Sequence, residues 1–131
     1  MRYLIDTHTL LWFIEGSPQL SQFSKSIIEN EDNEIYVSII SLWEISIKTS
    51  LNKLSINGDY EGIILDIEKN IIDILPMTFA HTIQQNKLPH IHKDPFDRMI
   101  LSQAISENIN IISRDEIFDE YLKPTTIKRI W

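Results

Sequence analysis

The sequence predicts an α/β fold built on a parallel sheet with helices on both faces. Three observations carry this. Short β-branched or apolar runs alternate with longer stretches of helical spacing along the chain. The first such run, Tyr3–Asp6, is apolar on both faces, as a central parallel strand is. Turn residues are few and fall between the runs, as at Gly16-Ser17-Pro18 and Asn57-Gly58.

Taken in order, Tyr3–Asp6 is the first strand and Thr9–Glu15 a short helix stopped at Gly16. Ser21–Glu29 has Phe23, Ile27 and Ile28 at helical spacing. Glu34–Ile39 is rich in β-branched and aromatic residues, hence a second strand. Leu42–Lys53 reads as a helix with Leu42, Ile45 and Leu51 inward, and Tyr60–Lys69 as another with Ile63, Ile64 and Ile67 inward. Ile71–Leu75 is a third strand, closed by Pro76. Thr78–Lys87 is a helix with Phe79 and Ile83 on one face, and Leu88–Lys93 a loop. Pro95–Glu107 is a strong helix, with Asp94 as its cap and Pro95 at its first position. Asn110–Ser113 is a fourth strand, Glu116–Leu122 a short helix and Thr126–Ile130 a last short strand.

A length of 131 residues without repeat or linker predicts a single domain over residues 1–131. Apolar residues make up 43% and glycines number 3, which excludes disorder and low complexity. Cysteine is absent, so disulfides and thiolate metal sites are excluded, in keeping with a reducing cytosol; the expected location is cytoplasmic. The N-terminal MRYLIDTHTLLWF is too short and polar for a secretory signal, and no run suffices for a membrane span. Twelve Lys and Arg against 19 Asp and Glu give a net charge of −7. That argues against a protein that binds nucleic acid by blanket phosphate neutralisation. It leaves room for a nuclease, because a bound metal reverses the local sign.

Four acids stand where a strand-like run meets a helix-like one, or in the first turn after it: Asp6, Glu44, Asp97 and Asp115. In a parallel sheet the carboxyl ends of the strands share one edge, where ligands bind. Carboxylates gathered there repel one another unless a cation sits among them, and Mg²⁺ or Mn²⁺ suits an all-oxygen donor set. If they converge, at least one pKa should be raised by like-charge repulsion. Each acid also has a structural reading. Asp6 or Thr7 fits the cap of the first helix and Asp115 the cap of a later one. Ser41-x-x-Glu44 has capping-box spacing, and Asp97 stands three residues after Asp94. A cap, however, needs only a polar oxygen, whereas all four junctions carry a carboxylate. No cysteine nucleophile, G-x-S-x-G or P-loop offers a rival chemistry.

The strand ending in Asp (LIDTHTLLW), the Ser-rich strand followed by Glu (VSIISLWEI), the helix DRMILSQA and the late strand IISRD together resemble PIN-domain ribonucleases. The likeness runs in order over nearly the whole chain. The short form, with HKDPFDR before the third acid, resembles the VapC-type toxins of toxin–antitoxin pairs. The resemblance implies a three-layer α/β/α sandwich with a mostly parallel sheet of about five strands. It implies a Mg²⁺- or Mn²⁺-dependent endoribonuclease that cleaves RNA phosphodiesters with a metal-activated water. It further implies a homodimer silenced by a cognate antitoxin. By position, Asp6, Glu44, Asp97 and Asp115 match the family's catalytic and metal-binding acids, and Ser113 stands where members place a Ser or Thr.

Around this set, Asp94 is expected mainly as a cap with a second role beside the site. Lys48 lies four residues after Glu44, either to neutralise it or to touch phosphate. Arg98 should face away from Asp97, and His92 sits on the loop before it. His90-x-His92 lacks a third ligand at useful spacing, which argues against zinc. Trp12-Phe13-Ile14 is apolar beyond one buried face, so a partner or dimer contact is expected there. The main rival is a non-catalytic PIN-like module that binds RNA or protein. Aspartyl-phosphate phosphatases would need an acid where His8 stands. A phosphoacceptor domain would need one where Pro76 closes the third strand.

Overall fold

A computed structural model describes all residues, Met1–Trp131. Five strands form one sheet: β1 (Arg2–Ile5), β2 (Glu34–Ser38), β3 (Ile72–Leu75), β4 (Asn110–Ile112) and β5 (Arg129–Ile130). Their order is β3-β2-β1-β4-β5 and every pair is parallel. The sheet grows leftward from β1 through β2 and β3, then resumes on the other side with β4. The carboxyl ends of β1 and β4 therefore flank the topological switch point, where parallel sheets open a crevice.

The helices are α1 (Thr7–Glu15), α2 (Gln22–Glu29), α3 (Ile39–Ser50), α4 (Ile63–Lys69), α5 (Phe79–Lys87), α6 (Pro95–Glu107) and α7 (Ile117–Leu122). A short 3₁₀ turn, Tyr60–Gly62, leads into α4. Alternate strand residues serve opposite faces. Tyr3, Ile5, Ile35, Val37 and Ile112 pack with Leu10, Leu11, Ile28, Leu42, Ile45, Ile63 and Ile67, from α1 to α4. Leu4 and Ile111 pack on the other side with Ile100, Leu101, Ala104, Phe118 and Tyr121, from α6 and α7. This is the α/β/α sandwich expected, with the sheet wholly parallel.

Several element limits and faces differ from the sequence reading. Helix α3 begins at Ile39, three residues before the expected Leu42, because the Ser38 hydroxyl accepts from the Ile40 N–H and caps it. A Ser41–Glu44 capping box is thereby ruled out, since both residues lie inside the helix. Leu51 and Ile64, expected inward, are exposed, and so are Phe23, Phe79 and Ile83. Helical spacing places them on one face, but in α5 the inward side is occupied by His81. Its ring is buried, accepts the Thr78 N–H at Nδ1 and meets Glu107 through Nε2 at 2.8 Å. Ile71 is 82% exposed with a φ of 56°, so β3 begins one residue later than expected. At the end of α1, Gly16 takes the left-handed conformation (φ 63°) that a helix C-cap favours.

One buried cation holds the loop before α6. Arg98 points away from Asp97, as expected, and makes no salt bridge. Its guanidinium donates to the carbonyls of Pro89 (2.8 Å) and Leu88 (3.3 Å) and to the Tyr121 hydroxyl (3.1 Å). That hydroxyl oxygen also accepts the backbone N–H groups of Ile91 (3.1 Å) and His92 (2.6 Å). A buried charge is tolerable when its donors are met this fully. Replacement of Arg98 by Met should leave these carbonyls unsatisfied and lower unfolding stability by about 2–3 kcal/mol in urea denaturation.

Candidate active site and metal centre

The site is built where β1, β4, α1, α3 and α6 meet at the carboxyl edge of the sheet. Asp6 follows β1 directly. Its N–H donates to the Ile112 carbonyl and its Oδ1 accepts the Thr9 N–H at 2.9 Å, so it also caps α1. Asp97 stands in the first turn of α6, whose cap is Asp94. The Asp94 Oδ1 accepts the N–H groups of Phe96 (2.8 Å) and Asp97 (3.2 Å). Asp115 lies past β4, with its N–H on the Ser113 hydroxyl at 3.0 Å and its Oδ1 on the Ile117 N–H at 3.2 Å. Capping and clustering are thus properties of the same residues.

Asp6, Asp97 and Asp115 line one open cavity of about 490 Å³, together with His8, Trp12, Arg114 and Glu116. Glu44 is not on its wall. It is buried in the second turn of α3, near enough to Asp97 to act on its charge. Its Oε1 accepts the Thr7 hydroxyl at 2.7 Å, and its Oε2 pairs with Lys48 Nζ at 2.5 Å. Of the two roles open to Lys48, the one visible is neutralisation of Glu44. Ser113 is fully buried and hydrogen-bonds Asp6 as well as the Asp115 N–H.

His92 faces Asp97, its Nε2 2.8 Å from Asp97 Oδ2. Ligand atoms of His92, Asp94 and Asp97 lie within 4.8 Å of one another. The sequence offers no third ligand at useful spacing for a His90–His92 pair. The partners of His92 are instead the two aspartates, while His90 remains exposed. Zinc stays disfavoured because a single imidazole stands among carboxylates. The donor set around Asp97 and Asp6 is otherwise oxygen, which suits Mg²⁺ or Mn²⁺.

The electrostatics agree with a site that wants positive charge. Burial raises the pKa of Asp6, against the lowering effect of hydrogen bonds from Ser113 and Thr9. Asp97 is pushed from 3.8 up to about 6, first by burial and then by the charges of Asp94, Asp6 and Glu44, against the hydrogen bond to His92. A raised carboxyl pKa was expected from repulsion; desolvation proves the larger cause.

Sequence reasoning missed Thr7, which orients Glu44; its position directly after the first strand's Asp was the available signal. It also missed Glu116, which joins the cavity wall. Trp12, expected at a partner or dimer contact, lines the acidic cavity with its ring. Nothing in the local sequence reports that, because the residues that meet it come from distant segments.

A family model described as the PIN domain matches residues 3–123. No curated protein matches the sequence. Among solved structures, the chain is similar to VapBC2 from Rickettsia felis, bound to a DNA fragment from its promoter (TM-score 0.70, 18% identity, 98% of each chain covered). It is also similar to DNA-bound VapBC from Salmonella typhimurium (TM-score 0.67, 17% identity, 98% of each chain). A third is VapBC-1 from nontypeable Haemophilus influenzae (TM-score 0.65, 18% identity, 99% of this chain and 97% of that one). These likenesses carry the fold.

The raised pKa of Asp97 has a consequence for stability. A carboxyl whose folded pKa exceeds its unfolded value favours folding while protonated. That contribution is complete below about pH 4 and is lost as the pH rises through about 6. The shift corresponds to about 3 kcal/mol, and loss of a carboxylate at a helix start opposes it by up to about 1 kcal/mol. Without divalent ions, Asp97→Asn should therefore be more stable than the parent near neutral pH by about 1–2 kcal/mol. The difference should close on acidification to about pH 4, as followed by urea melts across that range.

Proposed function

The chain belongs to the PIN domain family, and on that footing we propose that it is a divalent-metal-dependent endoribonuclease, the VapC-type toxin of a toxin–antitoxin pair. The observation that carries this reading is the gathering of Asp6, Asp97 and Asp115 on one cavity at the sheet's switch point, with Glu44 buried beside it. A scaffold without chemistry gains nothing from mutually repelling, partly desolvated carboxylates.

In this reading Asp6 and Asp97 are the principal metal-holding residues, with Asp115 and Glu44 completing the set. A bound Mg²⁺ or Mn²⁺ supplies an activated water near neutral pH and offsets the charge gathering on the scissile phosphate. The protein's own groups prepare that site. Thr7 fixes the Glu44 carboxylate, and Lys48 neutralises it while no cation is present. His92 holds one Asp97 oxygen, so that the other is free to turn toward the cavity. Ser113 orients both Asp6 and the backbone that carries Asp115. Asp94 acts chiefly through the cap that places Asp97.

The proposed partners are an RNA substrate, a cognate antitoxin and a second copy of the chain. The antitoxin proposal draws support from the VapBC structures that share the fold. A groove floored by Leu11, Ile14, Ile56 and Ile63 and rimmed by Glu15, Asp59 and Asp66 suits an apolar, basic segment of such a protein. No helix is long and apolar enough to cross a membrane, and the cytoplasm is the proposed location.

The purified protein should cleave RNA with Mg²⁺ or Mn²⁺ and not with EDTA, and Asp6→Asn and Asp97→Asn should both reduce cleavage to background. Equal cleavage by parent and variants would place the activity outside this site. Binding of RNA without cleavage under any metal would favour a non-catalytic module.

A further inference from the structure

The acidic cavity has one wall of different chemistry. Trp12 is half-buried there, with the Arg114 guanidinium carbon 4.7 Å from its ring centroid. The His8 imidazole lies 5.5 Å away, tilted by 30°. Trp131 meets Trp12 edge-on, with ring centroids 5.8 Å apart. His8 and Arg114 are exposed, and Arg114 is the one lysine or arginine among the seven residues lining the cavity. His8, Trp12 and Arg114, planar groups from α1 and from the segment just past β4, thus stand against the carboxylates of Asp6, Asp97 and Asp115.

Neither the acids nor the fold requires this arrangement. Arg114 makes no salt bridge, although Asp115 and Glu116 follow it directly. It rests on an indole instead. A guanidinium held so keeps its edge N–H groups available and presents a flat apolar face. Planar side chains beside a site that attracts cations suit a ligand that is itself planar and carries phosphate. A nucleotide whose base is unpaired meets both conditions, because both faces of its base are open for stacking. A base inside a duplex has its faces covered by its neighbours.

Building on the ribonuclease reading, we propose that the His8–Trp12–Arg114 wall is the subsite for an unpaired nucleotide next to the scissile phosphate. The base stacks on the planar side chains and the Arg114 edge meets the adjoining phosphate. The wall thereby adds contacts that only an unpaired base can make. It also supplies local attraction for RNA in a chain whose net charge is −7.

The test is fluorescence anisotropy with a labelled single-stranded RNA of mixed sequence and the same strand annealed to its complement. Both are measured in Ca²⁺, which fills oxygen sites, and cleavage is checked separately with Mn²⁺. The parent should bind the single strand more tightly than the duplex. Arg114→Ala and Trp12→Leu should each weaken single-strand binding by about fivefold or more and leave duplex binding nearly unchanged. Trp12→Phe, which keeps a ring, should retain most of the affinity. Arg114→Lys, which keeps the charge and loses the plane, should fall between parent and Arg114→Ala. Arg114 and His8 are exposed, so Arg114→Ala and His8→Ala keep the test decisive if Trp12→Leu fails to fold. Single-strand affinity unchanged in Arg114→Ala and His8→Ala, with Mn²⁺-dependent cleavage present, would overturn the subsite alone and leave the wall as an edge for a protein partner. Loss of the ribonuclease reading would show differently, as no cleavage by the parent.

Discussion

Desolvation of gathered carboxylates, with their mutual repulsion added to it, is the constraint on which this structure depends. Asp97 is drawn out of water and then feels the charges of Asp94, Asp6 and Glu44, and its pKa rises to about 6 as a result. Much of the surrounding architecture manages that cost. Asp6 and Asp94 are satisfied by helix N–H groups, which favour negative charge. Glu44 is answered by Lys48 and Thr7, and Asp97 by His92. The loop that carries His92 is pinned by Tyr121, which Arg98 holds from below. What these contacts leave over is a cavity open to solvent and short of positive charge, which is the condition a divalent cation relieves.

The topology explains why these residues can meet at all. Strands β1 and β4 are neighbours in the sheet but lie about a hundred residues apart in the chain, paired as Tyr3 with Asn110 through Ile5 with Ile112. Their carboxyl ends put Asp6 and Asp115 side by side, and α6 returns across the same edge with Asp97. The same juxtaposition brings Trp12, one turn and a half into α1, beneath Arg114. The acids proposed to hold a metal and the proposed nucleotide contact thus come from one crossover.

The fold was largely legible in the sequence because local signals agreed with one another. Asp94-Pro95 announced the start of α6, and an apolar period carried it to Glu107, as found. The doubly apolar Tyr3–Ile5 predicted the central strand. Local signals failed where two serines competed. Ser38 and Ser41 both suit a cap, and only the length of β2 decides for Ser38, which moves Glu44 from the helix start into its second turn. Periodicity also does not say which face of a helix is inward: Phe79 and Ile83 share one face of α5, yet its buried member is His81. At the site, Glu44 departs from the junction pattern, in the second turn of α3, whereas Asp6 and Asp115 were readable just past strands and Asp97 in the first turn of α6. Thr7, Glu116 and the contact of Trp12 with Arg114 were not, since their meaning lies in partners far along the chain.

The central claim is that a divalent cation completes the charge balance at Asp97. Isothermal titration of Mn²⁺ into the protein near pH 6, in buffers of differing ionisation enthalpy, tests it most directly. Asp97 is partly protonated at that pH, so binding should release a fraction of a proton per ion, and the release should fade toward pH 8 and vanish in Asp97→Asn. Mn²⁺ binding that releases no proton at any pH, or proceeds equally well without the Asp97 carboxylate, would contradict the account.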